Sequence, residues 1–149
     1  MKAFKKLMAA ALVCVMALSM LTGCGIADKK TEKHMVEALT NAAKDAKVLY
    51  TYERNDALDK TAQAAMKYAQ DSKKIEDAKK VGSNYEVYYT KLDDTWNSTD
   101  DLKSVAKKAQ EQFGKVLNDK NEKKAVGIEV DKVDGKNYII AVVKVEARG

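Results

Sequence analysis

The segment Tyr138-Ile139-Ile140-Ala141-Val142-Val143-Lys144-Val145 constrains the fold more than any other. Successive side chains of an extended chain point to opposite faces, so a strand that is apolar at both parities has two faces to keep from water. Such a strand lies inside a sheet with a packed layer on each side, and helices are the layers this chain can supply. Upstream, Val126, Ile128 and Val130 alternate with Gly127, Glu129 and Asp131, the pattern of a strand with one apolar and one polar face. Asp134-Gly135 suits the positive backbone angles of a two-residue turn, so the C-terminal third reads as a hairpin.

Apolar residues at Met35, Leu39, Ala42, Ala46 and Leu49 recur at spacings of three and four, which predicts a first helix over 31–49. A second begins near Asn55-Asp56, either of which can cap free amides, and continues through Leu58, Ala62, Ala65 and Ala69. The helical pattern fades over 73–80 and stops at Gly82-Ser83-Asn84. Tyr85 to Thr90, rich in aromatic and β-branched types, reads as a short strand. Ser98 and Asp101 resemble a capping box, and Leu102, Val105, Ala106, Ala109, Phe113, Val116 and Leu117 trace one face of a third helix. Asn118-Asp119 is its expected end. This order defines an α+β fold, an α-β-α sandwich with a small antiparallel sheet and helices on both faces. With no internal repeat and no shift in composition, residues 31–149 are expected to form a single domain.

The start of the chain carries a different signal. Lys2, Lys5 and Lys6 precede an apolar run from Leu7 to Leu21, close to the roughly 7–15 residues of a signal-peptide core. A membrane-spanning helix needs about 20 apolar residues. The run ends in Leu21-Thr22-Gly23-Cys24, which resembles the lipobox of bacterial lipoproteins. The resemblance implies that residues 1–23 are a signal peptide, removed before Cys24, and that Cys24 carries a lipid anchor with fatty-acyl chains such as palmitate. It further implies that 24–30 form the lipidated cysteine and a polar tether, with the protein held at the cell membrane on its extracytoplasmic face.

Without Lys2, Lys5 and Lys6, the 27 basic residues fall to 24, against 22 acidic ones. A balance this even gives no reason to propose nucleic-acid binding, which normally shows a clustered basic footprint, and no nucleic-acid partner is expected. Cys14 lies in the apolar run and Cys24 takes the lipid, so no disulfide braces the folded body and stability falls to a hydrophobic core.

Three further stretches resemble the CAP superfamily of SCP-like domains. Leu117-Asn118 leading to Val126-Gly127-Ile128-Glu129-Val130 is similar to the family segment in which Leu-Asn-Pro precedes Val-Gly-Ile-Gly-Val. Leu58 to Ala65 is similar to its early helix, and Gly82-Ser83-Asn84-Tyr85 falls where the family has Gly-Glu-Asn-Ile. The resemblance covers most of 35–145 and implies an α-β-α sandwich. The family's cleft holds two His and two acidic residues able to bind a metal, whereas this chain has 1 His. Ser83 stands in place of the motif's Glu, and Gly114-Lys115 in place of its Gly-His. The resemblance therefore implies a degenerate site.

The residues themselves agree. His34 sits among Glu32, Lys33 and Glu37 and reads as a solvated surface histidine. Zinc needs three or four His, Cys or carboxylate ligands, and no such spacing occurs. Asp93-Asp94 and Asp100-Asp101 read as a solvated turn and a helix start. No catalytic residue, metal or cofactor is expected. What stands out is aromatic: Tyr50, Tyr52, Tyr85, Tyr88, Tyr89 and Trp96 have rings with polar tips that suit half-exposed binding surfaces. Of these, Tyr85, Tyr88, Tyr89 and Trp96 are the candidate ligand-binding residues. The expected function is a lipid-anchored cell-envelope binding or interaction module without catalysis. Its partners would be the membrane, through Cys24, and a wall polymer, peptide, lipid or envelope protein. The alternatives are an envelope hydrolase derived from a metal-dependent CAP-like enzyme, and a scaffold subunit of an envelope complex.

Overall fold

A computed structural model describes residues 25–146 except 94 and 97, with the side chains of 25–29 left aside. The signal segment and Cys24 lie outside the described residues. The hairpin forms where the sequence places it, from β3 (Lys123–Val133) and β4 (Lys136–Lys144). Asp134 and Gly135 take φ values of 51° and 79°, the double positive angle of a tight hairpin turn. The short strand Tyr85–Lys91, β2, pairs antiparallel along the other side of β4, from Tyr85 opposite Lys144 to Lys91 opposite Tyr138. β4 is thereby interior, and Ile139, Ile140, Ala141, Val142 and Val143 are fully buried.

A fourth strand departs from the all-antiparallel sheet expected from sequence. Thr51–Arg54, here β1, runs parallel to β3 with Thr51 opposite Lys123 and Arg54 opposite Val126. The sheet is mixed, in the order β1-β3-β4-β2. Thr-Tyr-Glu-Arg is too short and too polar to show a period-two pattern, and the long connection to β3 is what a parallel pairing requires.

Helices cover both faces. On one lie α1 (Gly25–Asp45) and α3 (Lys103–Phe113), whose Met35, Leu39, Ala106 and Phe113 pack with Val126, Ile128, Ile139 and Ala141. On the other lie α2 (Asp56–Ser72) and a 3₁₀ turn (Ile75–Val81), which pack Leu58, Ala62, Met66 and Ala78 against Val87, Ile140 and Val142. Odd positions of β4 serve the first core and even positions the second, as a doubly apolar strand requires.

The ends of the helices follow local chemistry. The Asn55 side chain caps α2 by accepting from the Leu58 amide at 3.0 Å. Ser98 and Asp101 form the reciprocal capping box, each backbone amide donating to the other's side chain at 3.2 Å, although regular helix starts only at Lys103. Helix α3 stops at Phe113, so Val116 and Leu117 lie in the following turn. Helix α1 runs back through the stretch read as a tether and ends at Asp45, four residues short of Leu49. Lys47, in the left-handed region at φ 61°, turns the chain, and Leu49 is left 60% exposed.

Candidate binding groove

Strand β1 stops opposite Val126, so the next outward amides of β3 have no strand to meet. Side chains take its place. Asp59 Oδ1 accepts from the Ile128 amide at 2.9 Å, and Glu32 Oε2 from the Val130 amide at 3.3 Å. Arg54 ties these carboxylates together, donating to Glu32 Oε1 at 2.5 Å, to Asp59 Oδ1 at 2.8 Å and to the Ile128 carbonyl at 3.2 Å. Glu129 lies beside Glu32. Burial raises the pKa of both carboxyls, and the neighbouring Glu32 raises Glu129 further. Glu129 is therefore the neutral member and donates its proton toward Glu32. This cluster closes a sheet edge and locks α1 to it. Glu32 and Glu129 are only 6% and 5% exposed. Among the described residues no group of three His, Cys, Asp or Glu is placed to hold a metal ion.

The four aromatic residues singled out in the sequence do not form one surface. Tyr85 and Tyr89 lie on the α2 face of the sheet, with Lys79 Nζ 5.7 Å from the centre of the Tyr89 ring. Tyr88 and Trp96 pack on the α1/α3 face, and burial pushes the Tyr88 hydroxyl pKa up. The sheet stands between the two pairs, because Tyr88 has the opposite parity to Tyr85 and Tyr89. All four rings are partly buried.

Tyr50 and Tyr52 are core residues, 2% and 5% exposed, where half-exposed rings were expected. Their rings meet edge to face at 5.7 Å, and both hydroxyls are held by Gln110 of α3. The Tyr52 hydroxyl donates to Gln110 Oε1, and Gln110 Nε2 donates to the Tyr50 hydroxyl at 2.8 Å. Buried hydroxyls need such partners, and a glutamine on the buried face of α3 supplies two at once. Under Tyr50 lies a buried ammonium, Lys124 Nζ, 5.5 Å from the ring centre and bonded to Glu146 Oε1 at 2.7 Å and Asn118 Oδ1 at 2.7 Å. Burial opposes the charge on Lys124, but the carboxylates of Glu122 and Glu146 outweigh it and raise its pKa. His34, expected as a solvated surface histidine, is half-buried, with Nδ1 3.0 Å from Thr99 Oγ1. It fastens α1 to the segment leading into α3.

Gln110 also forms the floor of a groove. Helices α1 and α3 descend side by side, and between them lies a cleft of about 560 Å³. One wall is Ala38, Asn41, Ala42, Asp45 and Ala46 of α1, and the other is Thr99, Asp100, Lys103, Lys107 and Glu111. The alanines leave the space, since larger side chains at these positions would fill it. Charges of both signs line the rim. The volume falls in the range of small-ligand sites, roughly 300–1,000 Å³. In the sequence Ala42 and Ala46 pass for core positions, but the first is partly and the second fully exposed. The readable signal was Gln110, a polar residue inside the apolar stripe Ala106, Ala109, Phe113.

No protein-family model matches this sequence, and no curated protein matches it. Among solved structures, the crystal structure of hookworm platelet inhibitor is similar at 15% sequence identity, covering 81% of this chain and 70% of that one, with a TM-score of 0.42. The fold class stands on this chain's own layers: an α+β sandwich with helices on both faces of a four-stranded sheet.

Proposed function

We propose that this chain is a lipid-anchored, non-catalytic binding module of the cell envelope, held at the extracytoplasmic face through Cys24, with the α1–α3 groove as its ligand site. The domain would be a degenerate member of the CAP superfamily, a reading supported by the quoted motifs together with the three-layer order. The observation that carries the binding role is the groove itself. Its floor, Gln110, is fixed by two tyrosine hydroxyls, so the site is shaped before a ligand arrives, which lowers the ordering cost of binding. An alanine wall with Asn41, Asp45, Lys103 and Lys107 around it suits a short peptide or polymer segment bearing both charges.

Replacing Ala42 by Trp fills the groove from its solvent side. In a titration with short zwitterionic peptides, the side-chain amide signals of Asn41 and Gln110 should shift in the parent protein. The A42W variant should bind at least about tenfold more weakly and melt within a few degrees of the parent. Equal shifts in both proteins would remove the groove from the assignment. The anchor has its own test: Cys24→Ala should abolish incorporation of labelled fatty acid and release the protein from the membrane fraction. A variant that still carried label would refute lipidation at this residue.

A further inference from the structure

The register of contacts gives the domain two distinct ends. Glu32 meets Val130 while Thr40, two turns later, meets Tyr52 beside Lys124, so α1 runs antiparallel to β3. Helix α3 runs the same way, with Thr99 beside His34 and Gln110 beside Tyr50. The start of α1 therefore lies at the end that carries the Asp134-Gly135 turn. The opposite end collects the α1–β1 connection, the α3–β3 connection and the last residues of β4.

That opposite end is basic. Lys44, Lys47, Lys120, Lys123 and Lys144 are all exposed there, and none makes a salt bridge among the described residues. Of the acidic groups nearby, Asp45 is exposed beside Lys44 on the last turn of α1, and the other three are committed. Glu122 and Glu146 face the buried Lys124, and Asp119 accepts from the Leu49 amide at 2.5 Å. The C-terminus of α1 accounts for the placement of Lys44 and Lys47, since cations complement a helix C-terminus. It does not account for Lys120, Lys123 or Lys144, which sit on a loop and on strand ends.

We propose that this end is a docking surface for an anionic envelope polymer whose backbone is a chain of phosphodiester groups. Lysine is a flexible point charge suited to phosphate, and protein–protein interfaces are depleted in it while favouring arginine and exposed aromatics. This end offers neither: Tyr50 is buried beneath it, and the one described arginine, Arg54, is engaged at the β3 edge. Leu49 and Val145 are exposed here, but two aliphatic side chains do not make an interface core. The outward direction of this surface rests on anchoring through Cys24, which precedes α1 at the far end; the charge pattern does not.

The test uses the full chain in detergent, titrated with soluble poly(glycerol phosphate) and separately with vesicles containing phosphatidylglycerol. Binding to the polymer should weaken with salt, with a log–log slope of about −3.5 if five lysines each displace a counterion from a single-stranded polyanion. The double variant Lys120→Glu/Lys123→Glu should lose at least about tenfold in polymer affinity, and Lys44→Glu/Lys47→Glu should do the same. The control Lys132→Glu/Lys136→Glu, at the turn end, should stay within twofold. Melting curves establish that each variant is folded. Equal losses in the control, or no binding of polymer at low salt, would overturn the proposal. So would variants that lose vesicle binding while keeping the polymer, since phosphate would then come from lipid head groups. Cys24→Ala separates the two readings: retained polymer binding without lipidation supports this surface, whatever becomes of the anchor.

Discussion

Replacing Glu129 by Gln should stabilise the protein at neutral and alkaline pH. Glu129 is 5% exposed, and its pKa is pushed up to about 9 by burial first and by the adjacent Glu32 second. In the unfolded chain the carboxyl returns to the ordinary range near 4.5. A group with a raised folded-state pKa holds its proton more tightly when folded, so its stabilising contribution is complete below the unfolded value. It is lost progressively as pH rises from there through about 9. At pH 7 the loss amounts to roughly 3 kcal/mol, from 1.36 kcal/mol per unit over the interval above 4.5. Glutamine keeps the donor toward Glu32 and the acceptor toward the Val130 amide but has no proton to lose. Melting temperatures of parent and E129Q measured from pH 4 to 9 should coincide at the acid end and diverge upward for the variant. A gain of about 15 °C is expected at pH 8. A variant less stable at every pH would mean that Glu129 is ionised and serves as a second counter-ion to Arg54.

That cluster also shows what a sequence withholds. Each of Glu32, Arg54, Asp59 and Glu129 looks like an ordinary surface charge, because Glu32 and Asp59 sit in helices with mixed faces and Glu129 on the polar parity of β3. What buries them is the early end of β1, and β1 itself had no legible pattern. Long-range pairing decided it. By contrast the hairpin, the Asn55 cap, the stripe of α2 and the capping box of Ser98 and Asp101 were readable, since each depends on residues within a few positions of one another.

The candidate site was less legible than the fold. Tyrosine content drew attention to Tyr85, Tyr88, Tyr89 and Trp96, but parity along β2 separates them, and parity could have been applied from sequence alone. Tyr50 and Tyr52 flank a connection and read as exposed, yet they are interior because Gln110 satisfies their hydroxyls. The groove depends on how two helices distant in sequence pack side by side, and no local pattern reports that.

Gly127 illustrates a residue whose importance the alternation of β3 conceals, and its substitution should have the largest structural effect of any single methyl group. It stands on the polar parity between Val126 and Ile128, where a small residue looks optional. A β-carbon built there would lie 2.0 Å from the Leu58 carbonyl oxygen, 2.1 Å from its carbon and 2.6 Å from the Asp59 nitrogen. These are backbone atoms in the first turn of α2, which cannot swing aside as a side chain could. Gly127→Ala must therefore move the helix away from the sheet, and the first turn is where Asp59 caps the Ile128 amide and Asn55 donates to the Val126 carbonyl at 3.0 Å. The cost should reach the upper end of overpacking penalties, about 3 kcal/mol. Urea unfolding should show a lower midpoint with an unchanged slope, and the Ile128 amide should exchange with solvent faster than its strand neighbours. A G127A protein with the parent's midpoint and an equally protected Ile128 would show that α2 sits farther from β3, and that the glycine is not what lets the two backbones touch.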